Sequence, residues 1–327
     1  MVVSLAVLLS ALAMAGLAHA DDGIDEILFV RDKTLWQQSI EGSDEPVALA
    51  VLGDDAAAVT RLLPSPSGDG VVVELGTRVG WAASAGPPRQ PLRMLECEPP
   101  VFFQPRGSLF SCVDKSRQLV LYQVSMLALD GDSAKQRRRL LALSAERVLG
   151  WVDNDSLLVS DGRALWAAPI ADLDARRRVA PHQPAGWPLV GPAGARMVGI
   201  YPGLRSQDTQ GLYVFRLDDK AIRRRLMNDA EPRRWSRDGR WLAVQSRREG
   251  ACMVRARGGQ YKCWRRFEAL APSPTGDLLL LAKPSGESAD EARFDLYLGR
   301  RDGVKPERPK RLTDGVGAAA VWASPQQ

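Results

Sequence analysis

Trp235-Ser236-Arg237-Asp238-Gly239-Arg240-Trp241-Leu242-Ala243-Val244 reads as the end of one strand, a tight turn and the start of the next. Ser, Asp and Gly reverse the chain through side-chain hydrogen bonds and permissive backbone angles. The apolar residues that follow have the composition of a packed strand. Worn copies of this unit recur. Pro64, Ser65, Pro66, Ser67, Gly68 and Asp69 precede an apolar run at 71–73, and Pro272, Ser273, Pro274, Thr275, Gly276 and Asp277 precede another at 278–281. Each copy continues through a strand with an aromatic residue near its start and closes on a strand bearing Arg-Leu or similar.

A four-stranded antiparallel sheet cannot bury both faces alone. Copies that recur about every 40–45 residues stack around an axis as the blades of a propeller. The residues at the turn phase the units at Pro66, Pro105, Asp153, Pro192, Arg237, Pro274 and Pro325, which makes seven opening strands. The seventh, at 318–325, lacks the rest of its unit. Three strands with no opening strand stand at the other end, at 27–30, 34–40 and 46–52. Pairing the two ends closes the ring and hides two sheet edges. The fold expected is therefore an all-β, seven-bladed β-propeller closed by its C-terminal strand, with blade four at 148–181. Six blades remain as the alternative if the unit around Pro105 or Pro192 is an insertion.

The repeat resembles that of the TolB-like propellers, which runs Trp-Ser-Pro-Asp-Gly, an apolar strand, Leu-Tyr, Asp-Gly and Arg-Leu-Thr. Trp235 to Gly239 match its first part, and Leu296, Tyr297, Asp302, Gly303, Arg311, Leu312 and Thr313 its second. The resemblance implies a propeller over nearly the whole mature chain. No stretch is left for the separate α/β domain that precedes the propeller in TolB, so functions that depend on that domain are not implied.

Residues 1–20 contain no Lys, Arg, Asp or Glu, are apolar from 2 to 17, and end Ala18-His19-Ala20. This is the pattern of a secretory signal peptide cleaved after Ala20, although it lacks the usual basic start. The alternative is an uncleaved anchor, for which the apolar stretch is short. Residues 21–327 form one propeller domain, periplasmic or secreted, with no later segment apolar enough to span a membrane.

Four cysteines in an exported chain suggest two disulfides. Cys252 and Cys263 flank a turn at 256–259 that would set them opposite each other on neighbouring strands. Cys97 and Cys112 could then staple one blade to the next. The competing reading, a metal site, needs clustered ligands that the spacing does not offer.

The chain carries 44 basic and 39 acidic residues, a net charge of +5. Arg137, Arg138 and Arg139, Arg176, Arg177 and Arg178, Arg223, Arg224 and Arg225, Arg265 with Arg266, and Lys310 with Arg311 all fall at the last strand of a unit. A basic rim is thus expected, either as a contact for anionic surfaces or, more simply, as charge that keeps outer strands from pairing with other molecules. Nucleic acid is not indicated, because aromatics do not interleave with these arginines.

The mature chain has one histidine, His182, in a Pro-flanked loop. A Ser-His-Asp arrangement would rest on it alone, and no Gly-x-Ser-x-Gly elbow exists. The aspartates sit where turns need acceptors, and the inner strands read as mainly apolar. The tryptophans at repeated positions suit packing between blades. The loop at 285–293 is the longest polar excursion within a blade. No catalytic, cofactor-binding or metal-binding residue is assigned. The reading is a non-enzymatic, monomeric platform for another protein or a cell-envelope component. The alternatives are a channel-based ligand binder or enzyme of lactonase or lyase type, or an accessory propeller that docks a separate peptidase.

Overall fold

The computed structural model of the chain describes residues 26–41, 45–84, 89–127, 137–139, 148–180, 184–192, 196–201, 211–217, 224–285, 293–302, 308–317 and 319–323. Seven antiparallel sheets follow one another as the blades of a propeller. The sheet that joins the two ends is blade 1. It pairs Ala320–Trp322 with Glu26–Arg31, followed by Thr34–Ser39 and Val47–Val51. Leu28 lies opposite Val321, and Ile27 opposite Trp322. Leu28 and Val321 are both buried, so the closing strand is packed as well as hydrogen-bonded.

The innermost strands of blades 2 to 7 are Val59–Pro64, Glu98–Phe103, Val148–Trp151, Ala185–Val190, Ala230–Trp235 and Glu268–Pro272. The units around Pro105 and Pro192 each open a complete four-stranded sheet, which excludes the six-bladed alternative. Pro325 lies outside the described residues.

The same turn recurs because the same hydrogen bonds close it. Ser65, Ser236 and Ser273 are fully buried. Their amides donate to the carbonyls of Gly70, Trp241 and Leu278 at 2.8–2.9 Å, and their carbonyls accept from the amides of Gly68, Gly239 and Gly276. Ser236 Oγ also donates to Asp238 and accepts the amide of Trp241. Gly276 must be glycine on two counts: its φ is +73°, and a Cβ there would meet Trp241 of blade 6 at 2.2 Å. The turn of one blade is thus fitted to the face of its neighbour.

The core is a ring of layers between blades. One cluster joins blades 2 and 3 through Val72, Trp81, Phe110 and Tyr122; another joins blades 5 and 6 through Val198, Leu212, Leu242 and Val244. Apolar second and third strands fill both faces of each layer, which is why those runs lack strict alternation.

Two features depart from the sequence reading. Blade 1 has a fifth strand, Gln90–Pro91, which leaves blade 2 and pairs in parallel with Val47–Val51. It covers an edge that would otherwise be open. The second correction concerns the cysteines. Cys252 and Cys263 face each other across the ladder and form a disulfide as expected. Cys97 and Cys112 share a core cluster but form no disulfide. Each is buried as a small apolar side chain in the layer between blades 2 and 3, where packing accounts for it without a bridge.

Candidate binding site at the channel mouth

The innermost strand of each blade has a partner strand on one side only, so part of its backbone must find hydrogen bonds elsewhere. Tryptophans meet some of that need in a repeated way. Trp151, Trp235 and Trp322 end the inner strands of blades 4, 6 and 1. Their indole N–H groups donate to the carbonyls of Phe102, Leu189 and Ala271, each on the preceding blade, at 3.0, 3.1 and 2.9 Å. These three side chains are buried. They staple alternate seams of the ring, which gives the expected packing role of tryptophan a definite form.

Above these staples the strands enclose a cavity of about 760 Å³ at the mouth of the channel. Its wall contains Phe102, Phe103, Trp151, Trp235 and Trp322, and several prolines from the turns. Five arginines also line it: Arg61, Arg106, Arg233, Arg234 and Arg237. No carboxylate does so among the described residues.

Two of these arginines cross the ring. Arg234 on the inner strand of blade 6 donates to the carbonyl of Leu62 in blade 2 at 2.8 Å. Arg237, in the following turn, donates to the carbonyl of Pro66 in blade 2 at 3.1 Å. Blades 6 and 2 are three steps apart, the largest separation a seven-membered ring allows, so the two side chains bridge the channel.

The counter-charge sits behind the wall. Glu74, buried on the second strand of blade 2, accepts the amide of Val101 at 2.8 Å and lies 3.5 Å from Arg61. Burial first, and the Arg61 guanidinium second, pull Arg234 well below the usual guanidinium range, to about 9, with Glu74 acting in the opposite sense. A guanidinium keeps its proton at neutral pH. The shift therefore records the loss of water around the Arg234 guanidinium, with the neighbouring Arg61 charge adding to it, rather than a neutral side chain.

The residues singled out from the sequence lie elsewhere or are differently engaged. Arg137–Arg139, Arg177–Ala180 and Arg224–Asn228 are the outermost strands of blades 3, 4 and 5. Arg176 stacks on Trp166 at 5.0 Å, and Arg177 donates to the carbonyl of Leu217 in the next blade. Arg265 and Arg266 fall in the turn after the last strand of blade 6 rather than on it. His182, residues 1–20, Arg223 and the loop core at 286–292 lie outside the described residues.

The turn aspartates act as acceptors. Asp161 takes the amides of Arg163 and Ala164 and the indole of Trp166, and the backbone bonds hold its carboxyl down at about 2. Glu249, Cys252 and Cys263 have potential ligand atoms within 4.8 Å of one another. Both sulfurs are committed to the disulfide, so the group cannot coordinate a metal in this form.

The channel arginines went unrecognised in the sequence, where the inner strands read as mainly apolar. The signal was Arg233-Arg234 immediately before Trp235. At the end of an innermost strand both sheet faces are packed against neighbouring blades, so two adjacent charged side chains there are costly to bury and mark an outlet to the channel.

The architecture is that of a seven-bladed β-propeller. Similar solved structures include TolB from Acinetobacter baumannii, 12% identical, covering 92% of this chain and 67% of that one, with a TM-score of 0.49. A TolB structure from Agrobacterium tumefaciens is 16% identical over 90% of each chain, with a TM-score of 0.45. Hsv2 from Kluyveromyces lactis is 12% identical over 75% of each chain, with a TM-score of 0.46. No protein-family model matches the sequence, and no curated protein matches it.

Proposed function

We propose that the chain is an exported, non-enzymatic propeller that serves as a binding platform for another protein or a cell-envelope component, with the arginine-lined mouth as its recognition surface. The observation that carries this reading is the wall of the cavity: aromatic and proline surface with five guanidinium groups. Such a wall recognises anionic groups and supplies neither a general base nor a nucleophile. Interblade staples hold it rigid, so little ordering is needed on binding. The Cys252–Cys263 disulfide and the signal-like leader support an oxidising compartment.

Affinity capture from an envelope extract tests the reading. At low salt the purified protein is expected to retain an acidic partner that is released as ionic strength rises, and R106A/R237A is expected to retain less of it. A protein that captures nothing at low salt but hydrolyses a lactone or cleaves a glycan would refute the platform reading in favour of a channel enzyme.

A further inference from the structure

The bridge across the channel is built from unequal partners. Arg234 and Arg237 each give a charged donor to a neutral backbone carbonyl, although a guanidinium offers five N–H groups and pairs most strongly with an oxyanion. Among the described residues, no carboxylate forms an ion pair with Arg106, Arg233, Arg234 or Arg237. Among the described residues, Glu74 is the one carboxylate within ion-pair reach of Arg61, and it also holds the amide of Val101. Positive charge therefore gathers in a half-open, partly apolar cavity, with Arg61 and Arg234 half-buried, Arg106, Arg233 and Arg237 exposed, and only Glu74 to match it among the described residues. Beside apolar walls, charge–charge effects on the half-buried pair are less screened than on the rim.

We infer that the channel mouth is a binding site for a small multivalent oxyanion, a phosphorylated or polycarboxylated molecule, whose oxygens replace the carbonyls of Leu62 and Pro66 as acceptors for Arg234 and Arg237. Three features define its shape. The cavity of about 760 Å³ has the size of a small-molecule site. Arg61, Arg233 and Arg234 lie on inner strands within the wall, whereas Arg106 and Arg237 lie in the turns at the rim of the mouth. Charge is thus presented at two depths, which suits a ligand with more than one anionic group. Phe102 and Trp235 line the same space and offer apolar surface to the body of such a ligand. The site goes beyond the docking reading and stands whether or not a macromolecular partner exists.

The test is titration calorimetry of the purified protein with pyrophosphate and, separately, citrate, at low and at raised salt. One-to-one saturable binding of at least one probe is expected, weakening with salt. The probe that binds distinguishes a phosphate from a carboxylate ligand. R234Q is expected to lose about tenfold or more in affinity, as is R233A/R237A. The rim variant R176A/R178A is expected to bind as the wild type does.

Thermal unfolding accompanies each variant. If R234Q fails to fold, the exposed pair R233A/R237A decides alone. The inference is overturned if neither probe saturates at millimolar concentration in low salt, if several probes bind per chain, or if the rim variant loses affinity and the channel variants do not. Because no extract is involved, a failed capture experiment and a failed titration are separate results.

Discussion

The arginines of the channel and those of the rim are the same residue in opposite settings. On the rim they are spread along outer strands, stack on an indole or reach a neighbouring carbonyl, and solvent screens them. In the channel five converge on one cavity, and two reach across to backbone carbonyls on the far side. Solvation makes the first group inexpensive wherever an edge needs protection. Convergence on one partly apolar cavity, with Arg61 and Arg234 half-buried, makes the second costly unless something anionic completes it. The position of an arginine within a blade, more than its presence in a cluster, decides whether it marks a site.

This contrast between wall and rim can be broken or sharpened by substitution. The largest effect is expected at the wall. W151A removes a buried indole that bonds to Phe102 and to Ser111 across the seam, and should cost about 3–5 kcal/mol in chemical denaturation. A cost below about 1 kcal/mol would mean that the seams do not depend on these staples.

The rim has its own staple, since the Cys252–Cys263 bridge ties the outermost strand of blade 6 to the strand inside it. Comparing oxidised and reduced protein should show a loss of about 2–3 kcal/mol for so short a loop. E74Q comes next, at about 1–3 kcal/mol. It keeps an acceptor for Val101 but removes the charge facing Arg61, so its cost should rise as salt is lowered. An unchanged cost at all salt concentrations would show that the channel charge is already screened.

The smallest effect belongs to Asp161 on a turn of blade 4. Its carboxyl titrates near 2 in the folded chain against a usual 3.8. The stabilisation it gives is therefore fully present above pH 4 and is lost as pH falls from about 4 towards 2. D161N should flatten that acid limb in pH-dependent thermal melts by lowering stability near neutrality, while melting as the wild type does at the acid end, where Asp161 is protonated. An identical acid limb in variant and wild type would rule out the turn hydrogen bonds as its source.

Much of the ring was legible in the primary structure because the signals were local and repeated. Ser-x-Asp-Gly turns encode their own hydrogen bonds, as Ser236 and Asp238 show. The unmatched opening strand around Val321 and the three orphan strands beginning at Ile27 could be paired by counting. Cys252 and Cys263 were readable for the same reason, since a turn of known length sets their register. The fate of Cys97 and Cys112 was not, because two cysteines on different elements within one layer can pack as thiols or bridge with no difference in the local sequence.

What the chain determined by itself is the set of local choices: turns, apolar strands, their number and the ends that must meet. These follow from backbone preference and from the need to bury two sheet faces. What only the tertiary structure decided is which side chains converge on the axis. Arg61 and Arg234 are far apart along the chain and meet only because ring closure brings opposite inner strands within one side chain's length, and the short strand Gln90–Pro91 is sent back to blade 1 for a similar reason: its partner edge exists only once the ring is formed.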